Sequence, residues 1–281
     1  MTTDSHRRLR VDPDSAAPGE WPAVLDGELM RTAEAMIPAT DDGLIRGDGA
    51  FDAFLVRDGR PFARGAHMDR LERSCAALQL PFSRPEVEQD IDRLLTVAPP
   101  GDVVVRVILT RGGRRLCRLE GLGDTDALIR PVRLLPVVYD PSVVLNGVKT
   151  LSYAANMLAS RRALTAGYGE ALLVRSDGTV LEGPTCSVFW VRHGRLRTPA
   201  LGTGILASIT RRVIMDSLSV EEGTYSFEEV VAAEEAFLAS TARLAQPIAA
   251  IGETALPVAP GALTRRAQDV LQRAIDQGLL A

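Results

Sequence analysis

Lysine is almost missing from this 281-residue chain: of its 32 basic residues one, Lys149, is lysine, which leaves 31 arginines. Arginine stays charged at ordinary pH and cannot form an imine, whereas a lysine amine can become a nucleophile. A lone lysine therefore marks either a codon that escaped a compositional bias or a task that arginine cannot perform, and its neighbours must decide. Cysteine is also scarce. Cys75, Cys117 and Cys186 are odd in number, widely spaced and free of any CxxC pair, so they read as small buried hydrophobes in a reducing compartment rather than a disulfide framework. His6, His67 and His193 are too few and too scattered for a metal site, and no metal is expected. No apolar run approaches the ~18–20 residues of a membrane span. Residues 1–19 are polar and lack the apolar centre of a signal peptide, so a cytoplasmic location is expected. A formal net charge of -4 gives no basic stripe for a general nucleic-acid binder. What remains, 46% hydrophobic and 24% charged residues, is the composition of a globular protein able to bury a full core.

Residues 1–20, rich in Arg, Asp, Ser and Pro, read as a disordered lead-in. Residues 23–30 suggest strand, turn and strand around Asp26-Gly27, and 51–56 a further strand closed by the turn Arg57-Asp58-Gly59-Arg60. Apolar residues at Leu71, Cys75, Leu78 and Leu80 among charges predict an amphipathic helix over 66–80. A second helix is expected over 84–97, stopped by Pro99-Pro100-Gly101. The continuous β-branched run 103–109 and the stretch 129–138 predict buried strands. Residues 140–147 suit a crossing between a small α+β domain (21–139) and a larger one (148–281). In the latter, helices are expected over 156–166, 209–217 and 263–277, with strands at 171–174, 179–182, 186–191, 237–240 and 247–251. The class is α+β in two parts, divided near residue 140.

Several residues carry chemistry in combination that none carries alone. Glu182, which sits in Val180-Leu181-Glu182-Gly183-Pro184 at an expected strand end, is either a solvated turn carboxylate or a functional one. The loop from Gly204 into Ile209-Thr210-Arg211 opens a helix, whose free N–H groups and hydroxyls suit an anion; simple N-capping by Ser208 is the plainer reading. Ser240-Thr241 follows a strand and either binds phosphate oxygens or makes a turn. His67-Met68-Asp69-Arg70-Leu71 opens a helix in which Arg70 is a solvated residue or a phosphate ligand. Together, one lysine, one carboxylate and three candidate phosphate contacts match the needs of pyridoxal 5′-phosphate, an aldehyde cofactor with a pyridine ring and a phosphate tail.

The order of these motifs over residues 22–255 resembles the class IV aminotransferases, the fold-type IV pyridoxal-phosphate enzymes. The resemblance is carried by Gly47-Asp48-Gly49-Ala50-Phe51, His67 through Leu71, Lys149-Thr150-Leu151-Ser152-Tyr153, Leu181-Glu182-Gly183, Ile209-Thr210-Arg211 and Phe237 through Thr241. It implies a small α/β N-terminal domain and a larger β-barrel-like domain with helices. It implies Lys149 as the Schiff-base lysine, Glu182 as partner of the pyridine nitrogen and Arg70 as the phosphate-binding arginine. Ile209 and Thr210 would offer backbone N–H groups to the phosphate and Thr210 its hydroxyl, with Ser240 and Thr241 adding contacts. Leu206 matches the leucine that packs on the ring, and Tyr153 a tyrosine near the phenolic oxygen. Ser208 stands where the family usually has glycine, and serine suits a helix start.

Within the family, Thr110-Arg111-Gly112-Gly113-Arg114 replaces the Arg-Pro-containing strand of branched-chain transaminases. The arginine–histidine pair of the D-amino-acid enzymes is incomplete, because no histidine lies between His67 and His193. The blocks Lys149 through Met157 and Val180 through Pro184 are similar to 4-amino-4-deoxychorismate lyases, which convert aminodeoxychorismate to 4-aminobenzoate and pyruvate. A transaminase is the alternative, and a non-catalytic relative would be expected to have lost the lysine, the glutamate or the phosphate loop. Arg111, Arg114 and Arg243 are candidates for holding substrate carboxylates. The resemblance also implies a small-molecule amine substrate and a homodimer, with no nucleic-acid or membrane partner.

Overall fold

The computed structural model describes Leu9, residues 11–12 and residues 16–277. The chain forms two compact units. Among the described residues, the first takes those up to Gly123 together with Val148–Ser152, and the second takes Asp124–Gly147 and Tyr153–Gln277. Most of the expected lead-in over residues 1–20 lies outside the described residues; within it, Val11 and Ala16 pack against the first core.

The first unit is built on an antiparallel sheet of β1 (Pro22–Leu25), β2 (Glu28–Arg31), β3 (Gly49–Arg57), β4 (Arg60–Pro61), β5 (Asp102–Thr110) and β6 (Arg115–Gly121). Its strand order is β2-β1-β6-β5-β3-β4. Asp26 and Gly27 both have positive φ (51° and 91°), the backbone a tight hairpin between β1 and β2 requires. The helices are α1 (Asp42–Arg46), α2 (Arg64–Ala77) and α3 (Arg84–Leu95). Both expected helices thus form and end slightly early, the first because Gln79 turns left-handed (φ 54°) just after it. Phe54, Met68, Leu71, Ile91, Val105 and Leu119 fill the core between helices and sheet.

The second unit begins with α4 (Thr125–Ile129) and β7 (Val132–Val138), and continues with α5 (Ala154–Thr165), β8 (Glu170–Val174), β9 (Ser187–Arg192) and β10 (Arg195–Pro199). After α6 (Ile209–Ser217) come β11 (Val220–Gly223), α7 (Phe227–Val231), β12 (Glu235–Ser240), β13 (Leu244–Ile251), β14 (Thr254–Ala255) and α8 (Ala262–Asp276). The sheet runs β11-β10-β9-β12-β13-β7-β8, with β14 against β13. β7, which the sequence suggests for the first part, pairs in parallel with both β8 and β13. Its Leu134 is fully buried in the second core with Leu172, Trp190 and Leu238.

Residues 179–182, expected as a strand, form no regular ladder. Leu181 and Glu182 exchange backbone bonds with Leu173 (2.9 Å each) while Val180 N–H turns to Tyr225 O (2.9 Å). The chain bends there to meet two elements. No helix among the described residues is long and apolar enough to cross a membrane.

Candidate active site

Lys149 lies in a short extended stretch laid against β3. Phe51 N–H donates to Lys149 O (3.0 Å) and Leu151 N–H to Gly49 O (2.8 Å), and Lys149 N–H donates to Ser74 Oγ on α2 (3.2 Å). The glycines of the Gly47-Asp48-Gly49 motif make this approach feasible. A Cβ on Gly49 would stand 2.5 Å from Leu151 Cδ1, and one on Gly47, itself left-handed at φ 69°, would stand 2.9 Å from Ser152 Oγ. With its backbone fixed from both sides, Lys149 carries its ammonium over the Phe51 ring, 4.4 Å from the centroid, an attractive cation–π arrangement.

Beside it in the same unit is a buried ionic cluster. Spacing by three residues puts His67 and Arg70 on one face of α2, both facing Asp52 of β3. Arg70 Nε and Nη2 each donate to an Asp52 oxygen at 2.8 Å, and His67 Nδ1 lies 2.7 Å from Asp52 Oδ1. Burial pushes the Asp52 carboxyl upward, but the neighbouring Arg70 and His67 more than offset this and hold it well below the usual carboxylate range. His67 is driven below its ordinary value, first by burial and then by the Arg70 and Lys149 charges, against an opposing pull from Asp52. The imidazole is therefore neutral at neutral pH, with Nδ1–H as donor, and Arg70 supplies the positive charge at Asp52. Asp52 carries no sequence signal of its own, being one polar residue within the otherwise apolar run from Ala50 to Val56.

The second unit gathers Glu182, Leu206, Ser208, Ile209 and Thr210. Leu206 N–H donates to Glu182 Oε1 (3.1 Å), so the carboxylate is oriented by the loop that leads into α6. Ser208 is the N-cap: its Oγ accepts from Arg211 N–H at 3.2 Å. That leaves the N–H groups of Ile209 and Thr210, in the first turn, without an acceptor inside the helix. N-capping by Ser208 thus leaves this helix start with N–H groups of the kind that suit an anion. Helix α6 packs on β12, whose last residue is Ser240; Ser240 Oγ accepts from Arg243 N–H (3.2 Å), and Thr241 follows in the same turn.

Tyr153 donates its hydroxyl to Pro184 O (2.5 Å), and Asn156 Nδ2, one helical turn along α5, donates to the same oxygen (3.0 Å). Tyr139 completes the group, donating to Asn156 Oδ1 (3.3 Å), and its hydroxyl is pushed above the ordinary value by burial and by the Glu182 charge. The arginines expected at substrate all have protein partners. Arg111 forks onto Asp48 (2.9 and 3.1 Å) and donates to the carbonyls of Leu78 and Gln79. Arg114 pairs with Asp26 (2.7 Å) and Arg243 with Glu170 (2.6 Å).

The chemistry of these donors fits pyridoxal phosphate. First-turn N–H groups at a helix start suit a phosphate, an oriented carboxylate suits a protonated pyridine, and the one lysine suits the aldehyde.

The chain matches the family model for amino-transferase class IV over residues 49–251. It is 32% identical over 251 residues to a putative branched-chain-amino-acid aminotransferase of Methanocaldococcus jannaschii, covering 80% of this chain and 85% of that protein. It is 30% identical to a bifunctional aminodeoxychorismate lyase / D-amino acid transaminase of Mycobacterium tuberculosis, covering 68% of this chain and 76% of the other. Its fold superposes with a TM-score of 0.83 on a hypothetical aminotransferase from Mycobacterium tuberculosis in its PLP-bound form, at 24% identity over 91% of this chain and 99% of that one. The chain belongs to the class IV aminotransferases and is a pyridoxal-phosphate-dependent enzyme, an aminotransferase or a lyase of that family.

Proposed function

We propose that this enzyme is a 4-amino-4-deoxychorismate lyase, releasing pyruvate as the substrate ring becomes 4-aminobenzoate. The observation that carries this reading is the tie between two stretches similar to the lyases: Tyr153 and Asn156, from the block that follows Lys149, both donate to Pro184 O, in the block that holds Glu182. When bound, the cofactor acts as an electron sink for the carbon that loses its proton. Lys149 is the base that takes this proton, after which the C–O bond to the enolpyruvyl group breaks and a proton completes pyruvate. Glu182, oriented by Leu206 N–H, holds the pyridine nitrogen in its charged form. Ile209 and Thr210 at the start of α6 and the Ser240–Thr241 turn would hold the phosphate and Leu206 would pack on the ring; Arg70, which also pairs with Asp52, is the arginine candidate for the phosphate.

A transaminase is the second reading, favoured by the branched-chain relative and by the two activities named together in the Mycobacterium tuberculosis relative. It uses the same lysine and differs in where the proton is returned. The family resemblance also supports a homodimer as the working form, each chain with a small and a large domain.

The deciding experiment is an absorption spectrum of purified protein with the cofactor, before and after separate additions of D-alanine, L-leucine, L-glutamate and enzymatically made aminodeoxychorismate. Persistence of the visible band while aminodeoxychorismate yields 4-aminobenzoate and pyruvate supports the lyase. Bleaching by an amino acid, with no 4-aminobenzoate formed, selects the transaminase.

A further inference from the structure

We infer that the pair of buried Glu170 and partly buried Arg243 is a positioning device that fixes the Ser240–Thr241 turn for the cofactor's phosphate, and that Arg243 does not touch substrate. The inference rests on the proposal above that this turn binds phosphate.

Glu170 opens β8 and is 3% exposed. A carboxylate so deeply buried must be paired and hydrogen-bonded. Its Oε1 accepts from Ser160 Oγ (2.8 Å) and Ala171 N–H (3.0 Å), and its Oε2 accepts from Arg243 Nη2 (2.6 Å). The other arm of the guanidinium, Nη1, donates to Gln246 Oε1 (2.6 Å), and Gln246 Nε2 donates in turn to the carbonyls of Ala127 and Arg130 (2.9 and 3.0 Å). Arg243 thus sits at the centre of a chain of bonds from β8 to the end of α4. Swinging it to a substrate would leave Glu170 as an uncompensated buried charge.

The same residue shapes the turn. Ser240 and Leu244 are the last paired residues of the β12–β13 hairpin, so the loop is residues 241–243. Hairpins with three-residue loops close through a left-handed residue that is usually glycine. Here that residue is Leu244, at φ 51°. A bulky residue persists in this region when its surroundings over-determine it. Those surroundings are the Arg243 tether and the bond from Arg243 N–H to Ser240 Oγ (3.2 Å). The ionic pair and the strained residue act on one short loop, and that loop and the strand residue before it carry the two hydroxyls assigned to phosphate.

The test compares two ligands that differ only in the phosphate. Apoprotein of the full chain is titrated with pyridoxal 5′-phosphate and with pyridoxal, for the wild type, R243M, R243K, E170Q and the double variant S240A/T241V. The amino-substrate KM is then measured at saturating cofactor. R243M is expected to weaken the phosphorylated ligand by about tenfold while leaving pyridoxal and KM within about twofold, with R243K recovering part of the loss. E170Q, which keeps an acceptor for Ser160, gives the same selective loss and serves if R243M does not fold. A rise in KM with unchanged cofactor affinity would make Arg243 a substrate ligand and overturn the inference. Equal weakening of both ligands would overturn it as well. If S240A/T241V leaves the preference for the phosphorylated ligand intact, the assignment of the turn to phosphate fails. If that variant loses the preference and R243M and E170Q keep it, the positioning role alone fails.

Discussion

Asp52 and Arg70 meet as a two-pronged pair, with Nε on Oδ2 and Nη2 on Oδ1 both at 2.8 Å, and with Asp52 fully buried. Breaking a buried pair on one side costs more than forming it contributed, because the remaining charge is left without compensation. Asp52→Asn keeps the shape and removes the charge, so it should destabilise the protein by about 3–5 kcal/mol in urea unfolding. A loss below about 1 kcal/mol would show that Arg70 finds another counter-charge.

His67 makes stability depend on pH in a calculable direction. Its folded form resists protonation, so its contribution is fully present above about pH 6.5 and is lost as pH falls toward the folded value. Asp52 is also held low, but it contributes no slope until about pH 4. Wild-type stability should therefore fall as pH drops below about 6.5, by up to about 1.4 kcal/mol per pH unit. His67→Asn, whose amide replaces the Nδ1 donor, should flatten that slope. Parallel wild-type and mutant curves would assign the acid sensitivity elsewhere.

Lys149→Arg retains a positive charge near the Phe51 ring and loses the nucleophile. Turnover should drop to less than about a thousandth of wild type with every substrate of the protein, and the visible band of the bound cofactor should disappear. A variant that turns over at near-native rate would remove Lys149 from the chemistry.

Helix α8 has no cap of its own, because Gly261 precedes it. Glu235 of β12 supplies one from a distance: its oxygens accept from Leu263 N–H, Thr264 N–H and Thr264 Oγ1 at 2.9, 3.0 and 2.7 Å. Glu235→Ala should cost about 1–2 kcal/mol of unfolding free energy, as the loss of a helix cap does. An unchanged midpoint in urea would mean that the first turn is satisfied some other way.

Lys149 was legible because nothing else in the chain resembles it, and the start of α6 was legible because Ser208 and the run after it follow the local rules of capping. What the sequence concealed is pairing at long range. Glu170 reads as the polar first residue of an apolar strand, and nothing near it announces Arg243, 73 positions later. Asp52 likewise has partners on another element, although the spacing of His67 and Arg70 on one helical face was available as a clue. The bend over 179–182 is hidden in the sequence because its apolar residues suggest a ladder strand, whereas its hydrogen bonds divide between two neighbours. For β7, hydrophobicity indicates burial in either unit and cannot say which sheet it joins.

The stretch Val148–Ser152 belongs to the first unit, although its neighbours in the chain on both sides belong to the second. Its anchor is a bridge between Thr150 and Ala50, residues about a hundred positions apart. Contacts of such long sequence separation pay their loop-closure entropy before they return any stability, and so form late. A chain that has collapsed without completing this pairing holds its lysine on an unfixed backbone. Capture of the cofactor thereby becomes a readout of finished folding, and in a refolding experiment the appearance of colour should not precede the closure of this bridge.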